Sequence, residues 1–140
     1  SSDVKSLFKK IFNSPESIFR GFDFGQDVDE IISKEKFKVF EKEKEYTGAS
    51  YSNSKMETID ILYFKSVFNK LNKIQVDVFL TSDMKTGELF DEVYHHIFEK
   101  FGFPVTTNDG YFWNYDPISK LSLTKIKNNV EQGLIIIFES

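Results

Sequence analysis

The sequence predicts an α+β domain: an antiparallel sheet of about six strands, two main helices on one face, and an extra N-terminal helix. Three observations carry this. Ile74, Val76, Val78 and Leu80 alternate with Gln75, Asp77 and Phe79, the period of a half-buried strand. Leu89, Phe90, Val93, Ile97 and Phe101 then recur at helical spacing, with Glu88, Asp91, Glu92, His95, His96 and Glu99 on the opposite arc. Strand-like stretches follow each of the two main helices, so the chain reads twice as a helix plus three strands, a repeat of architecture without residue-level identity. A chain of 140 residues is most simply one domain. Its parts are a helix over 1–14, a first half over 21–80 and a second over 86–140.

In chain order, residues 3–12 place Val4, Leu7, Phe8, Ile11 and Phe12 on one helical stripe, with Asp3 as cap and Lys5, Lys9 and Lys10 off the stripe. Asn13-Ser14-Pro15-Glu16 is turn chemistry. Residues 18–25 are aromatic and punctuated by Gly21 and Gly25, which lets Phe22 and Phe24 wedge under a helix. Asp23-Phe24-Gly25 has the letters of a kinase metal motif, but the companion motifs are missing and the match is coincidence. Asp27 and Glu30 have capping-box spacing at the head of a helix over 28–36. The alternating charges of 41–45 read as a solvated edge or connector. Strands follow at 46–51, 58–67 and 74–80. The central helix spans about 87–101, with Thr86 as N-cap and Gly102 and Pro104 as its stop. Strands at 111–115, 121–127 and 134–139 close the chain, the last apolar on both faces, as a central strand should be.

Composition narrows the function. There is no cysteine, which removes disulfides, thiolate metal sites and cysteine nucleophiles. Net charge is −4 and Arg20 is the only arginine, which argues against nucleic-acid binding. The longest apolar run, 134–138, is far short of the ~20 residues of a membrane-spanning helix, so no transmembrane segment is expected. The sequence does not fix the compartment; an extracytoplasmic location, periplasmic or lipid-anchored, is the expectation if a targeting segment precedes Ser1. Oligomeric state is open.

The stretch Gly21-Phe22-Asp23-Phe24-Gly25-Gln26-Asp27-Val28-Asp29-Glu30-Ile31 resembles the opening of a repeat in the β-lactamase-inhibitor-protein-like class of small bacterial secreted or lipid-anchored proteins. The likeness covers roughly 25–80 by motif and the remainder by element order. The disulfide of some relatives is missing here, and the second helix has no matching glycine opening. The resemblance implies a non-enzymatic, protein-binding module and transfers no functional residue.

No hydrolase elbow, phosphate-binding loop, dinucleotide fingerprint or zinc-protease helix motif is present. No catalytic residue, cofactor or cofactor-binding residue is therefore assigned. The metal candidates are the column Asp91, His95 and Glu99, four residues apart on one helical face, and a second such pair, Glu92 and His96; the simpler reading of both is a solvated face. Tyr111, Trp113 and Tyr115 share one strand face. They are partner-binding candidates if that face is open and core if it meets the helices. The leading expectation is a non-catalytic binding or protein-interaction domain of a bacterial protein, its partner another protein; a toxin-inhibiting immunity protein is one version. The alternative is a small-ligand carrier or enzyme with a cavity between sheet and helices, using Asp60, Asp77 or Tyr63 as inward polar groups.

Overall fold

A computed structural model describes residues 2–14 and 19–140. These form helices α1 (Ser2–Ile11), α2 (Val28–Lys34) and α3 (Asp83–Phe101) and strands β1 (Lys38–Lys42), β2 (Tyr46–Ser52), β3 (Thr58–Lys65), β4 (Leu71–Leu80), β5 (Val105–Thr106), β6 (Gly110–Asp116), β7 (Ser119–Lys127) and β8 (Gln132–Glu139). The expected turn at Asn13-Ser14-Pro15-Glu16, and Ile18 at the head of the aromatic stretch, lie wholly or partly outside the described residues.

The fold is α+β, as expected, with a larger sheet. Eight antiparallel strands run in the order β1-β2-β3-β4-β8-β7-β6-β5. The two added strands are its edges. β1 takes in the start of the charged stretch expected as a solvated edge or connector, and it is an edge: an edge strand needs a partner on one side only and tolerates charge on its free side. β5 is two residues long, too short to leave a periodic signal. Each half is a meander, and the last strands of the two halves, β4 and β8, meet at the centre.

Alternation and register decide the faces. Tyr63, Ile74, Phe138 and Leu121 line up across β3, β4, β8 and β7, as do Ile61, Val76, Ile136 and Leu123. All are buried in one cluster with Val4, Leu7 and Ile11 of α1, Val28 and Ile31 of α2, and Leu89, Val93 and Ile97 of α3. The described helices therefore share one face of the sheet. Burying each large apolar side chain contributes roughly 1.5–3 kcal/mol of transfer free energy, which fixes the register, since a one-residue slip would expose the whole set.

The helix ends differ from expectation. α3 begins at Asp83, and its cap is Ser82, which accepts from the Lys85 N–H at 3.2 Å. Thr86 lies inside the helix, buried, and donates to the Ser82 carbonyl at 2.9 Å. Ser82-Asp83 is itself a good helix start, and the apolar stripe that marks the helix begins only one turn later. Asp3 sits in the first turn of α1 and binds Lys55 and Lys85 instead of capping. α2 is capped as expected by Asp27, which accepts from Asp29 and Glu30 N–H, but it stops at Lys34. Glu35 leaves the helix because its carboxylate is drawn into the core.

Candidate functional site

The sheet's second face meets none of the described helices. In a one-sided antiparallel sheet this face should be polar. Here the register sets Leu62, Gln75, Ile137, Ser122 and Phe112 in one row across β3, β4, β8, β7 and β6. The next row holds Lys38, Ser50, Asp60, Asp77, Ile135 and Thr124, from β1 to β7. Phe64 and Phe79 flank these rows on β3 and β4. Phe40 lies over Gly48 beside Leu62, where a Cβ on Gly48 would come within 2.7 Å of the Phe40 ring, and it remains 49% exposed. Central strands apolar on both faces thus have one apolar side without a helical cover.

Charge on this face is sorted. Lys73, Glu139 and Lys120 are cross-strand neighbours in a third row, so opposite charges alternate there. Lys73 Nζ also sits 4.8 Å over the Phe64 ring. Asp60 and Asp77, in contrast, face each other directly across β3 and β4. The Ser50 hydroxyl donates to Asp60, and Gln75 Nε2 donates to Asp77 at 3.0 Å. Burial raises the Asp77 carboxyl above its ordinary pKa; the Gln75 hydrogen bond opposes this, while Asp60 and Glu131 add to it.

The residues picked from sequence lie elsewhere. Trp113 is 2% exposed on the helix-covered face, and its indole N–H donates to the Gly102 carbonyl at 2.9 Å. Tyr111 packs on Tyr94 of α3 with ring centroids 4.7 Å apart, and Tyr115 on Phe101 at 4.8 Å. Of the two alternatives for these rings, the strand's aromatic side is the one α3 covers: Trp113 is core, and Tyr111 and Tyr115 are half-buried against α3.

Asp91, His95 and Glu99 are exposed on α3, and His95 Nδ1 is 2.8 Å from the Asp91 carbonyl oxygen. Among the described residues no group of three or more His, Cys, Asp or Glu is placed to hold a metal ion. His96 points the other way, toward α1, with its ring 4.4 Å from Phe12 and 5.3 Å from Phe8 by centroid. Burial lowers its pKa, with Lys100 adding to the shift and Glu99 opposing it.

The inward polar groups sought for a ligand cavity are separated. Asp60 and Asp77 are on the helix-free face. Tyr63 points inward, but its hydroxyl donates to Glu35. Glu35 also accepts from Arg20 at 3.1 and 2.7 Å and from the Phe37 N–H at 2.8 Å. This buried cluster joins α1, α2 and β3 and has its polar atoms partnered, the marks of a structural lock. Sequence reading missed it because Arg20 and Glu35 belong to no motif. The signal that did exist for the open face was the run 134–138, apolar at consecutive positions.

None of the described helices is long and apolar enough to cross a membrane. No protein-family model, curated protein or solved structure matches the chain.

Proposed function

We propose that this chain is a non-catalytic protein-interaction domain of a bacterial protein and that it meets its partner through the helix-free face of the sheet. The observation that carries this reading is the apolar content of that face: Leu62, Phe64, Phe79, Phe112, Ile135 and Ile137 occupy positions that a solvated sheet fills with polar side chains. Eight strands about 4.8 Å apart, the central ones some 27 Å long, offer on the order of 800 Å², which is about what one side of a standard protein interface buries. The likeness of 21–31 to β-lactamase-inhibitor-protein-like domains points the same way.

The test introduces charge into the apolar surface. Leu62→Lys combined with Ile137→Lys puts two ammonium groups on the open face and leaves the helix-covered core untouched. The reading expects a melting curve close to wild type and loss of the partners that wild type retains from source-cell extract. Retention of the same partners by the double variant contradicts it.

A further inference from the structure

Resting on the reading of the helix-free face as a contact surface, we propose that its centre receives a lysine or arginine side chain of a partner protein, held between Asp60 and Asp77. The two aspartates are directly opposed on adjacent strands. Side chains so placed have Cβ atoms about 4.5–5.5 Å apart, and like charges there destabilise the sheet. A solvated sheet face has no need of this pair. Among the described residues neither carboxylate has an ion-pair partner. Their hydrogen bonds come from the neutral Ser50 and Gln75.

The cations of the same face do not answer them. Lys73 lies over Phe64 and opposite Glu139, which is itself opposite Lys120. The row with cations keeps its own cross-strand pairs, two lysines about one glutamate; among the described residues the one cation in the row of Asp60 and Asp77 is Lys38 at its β1 end, with Ser50 standing between it and Asp60. Ile135 extends that row on β8, and Leu62 and Phe79 stand two residues along β3 and β4. An apolar surround that excludes water on contact strengthens a charge pair at its centre.

Geometry selects the occupant. β4 and β8 are the middle strands of the sheet, so a two-fold stacking of this face on a second copy brings Asp77 close to its counterpart and gathers four carboxylates. That centred stacking sets like charges against each other. Among the described residues a metal ion finds two carboxylates there and no third His, Cys, Asp or Glu. A side chain ending in an ammonium or guanidinium group, carried on an otherwise apolar protein surface, matches both the charge and its surround, and a guanidinium can bond both carboxylates at once.

The experiment is selection of a random-sequence peptide library on the folded chain, followed by calorimetry with the enriched peptide and its Lys/Arg→Gln analogue. Titrations use wild type, Asp60→Asn, Asp77→Asn, the double Asn variant and Ile137→Lys. The expected result is enrichment of peptides with Lys or Arg between apolar residues. Binding should weaken by at least about tenfold in the Gln analogue and in the double Asn variant, with thermal melts no lower than wild type. Peptides lost on Ile137→Lys but indifferent to Lys/Arg→Gln and to the Asn variants overturn the cation site and leave the contact face standing. No enrichment, or peptides indifferent to Ile137→Lys, overturns both. A wild-type dimer in sedimentation that Ile137→Lys dissolves makes the occupant a second copy and also overturns the proposal.

Discussion

Arg20 and Glu35 meet side-on inside the protein, with Nε 3.1 Å and Nη2 2.7 Å from the two carboxylate oxygens, although 15 residues separate them in sequence. The pair is almost fully buried, at 2% and 0% side-chain exposure. Arg20 also donates through Nη1 to the Lys10 carbonyl, satisfying the end of α1. Glu35 caps α2 and accepts the Tyr63 hydroxyl of β3. One ion pair thereby joins two helix ends to the sheet. Removing one partner leaves the other charge buried and alone, so Glu35→Ala or Arg20→Ala should cost about 3–5 kcal/mol. Tyr63→Phe removes one hydrogen bond to a charged group and should cost about 1.5–3 kcal/mol. Urea unfolding followed by circular dichroism reads both.

The same pair makes stability sensitive to acid. Burial raises the Glu35 carboxyl, but the Phe37 N–H, Tyr63 and Arg20 outweigh it and hold it below its ordinary value of 4.5. An acid whose folded pKa is depressed contributes stability above its unfolded pKa and loses it as pH falls through the folded one. Tyr63→Phe weakens one of the contacts holding the carboxylate. The acid limb of its stability profile should be shallower than that of wild type below about pH 4.5.

His96 adds a second, milder pH dependence. Its ring packs against Phe8 and Phe12 of α1, and burial lowers its pKa from 6.5. The unfolded chain therefore binds a proton more readily than the fold does. The neutral-ring advantage is complete above the unfolded value and is lost as pH falls below it. The melting temperature of wild type should drop on going from pH 7.5 to about pH 5.5, and His96→Phe should flatten that drop while keeping α1 on α3.

Gly133 stands where β8 passes β4 at the centre of the sheet. A Cβ there would lie 1.8 Å from the Val78 carbonyl oxygen, a contact with backbone that no rotamer change relieves. Gly133→Ala must push the two central strands apart and should cost at least about 3 kcal/mol, or prevent folding. Gly87→Ala is the control: its added methyl meets nothing within 4 Å in α3. There the change should stabilise by about 0.5–1 kcal/mol.

Asp77→Asn separates function from stability on the open face. Substitution removes a charge raised chiefly by burial and also by its neighbours Asp60 and Glu131. A raised acid weakens the fold once ionised, so Asp77→Asn should melt at or above the wild-type temperature at pH 7, with the difference vanishing as pH falls and both forms become neutral. A lower melting temperature at pH 7 would mean that the charge serves the fold.

Strong local periodicity made much of this structure legible in sequence. β4, α3 and β8 are regular enough to read from their apolar positions alone. β1 and β5 were hidden because charged or very short edges carry no such pattern. The start of α3 was misplaced because Ser82, Asp83, Met84 and Lys85 precede the apolar stripe. The aromatic strand gave the opposite difficulty. Tyr111, Trp113 and Tyr115 plainly share a face, but which face α3 covers is a long-range fact that no local pattern encodes. Once topology supplies it, the contact candidates move to Leu62, Phe112, Ile135 and Ile137. Ile135 and Ile137 belong to the run 134–138, apolar on both faces, whereas Leu62 and Phe112 carry no such local signal. The Arg20–Glu35 pair was illegible for the same reason, since long-range pairing alone makes its members partners.

The most direct measurement is site-specific photo-crosslinking in source-cell extract. A photoreactive side chain is placed at Ser122, in the middle of the helix-free face, and, in a second protein, at Glu92 on the outer side of α3. The account predicts a discrete protein adduct from position 122 that excess unlabelled wild type suppresses and the Leu62→Lys, Ile137→Lys double variant does not suppress. A discrete, suppressible adduct from position 92 with none from 122 would contradict it.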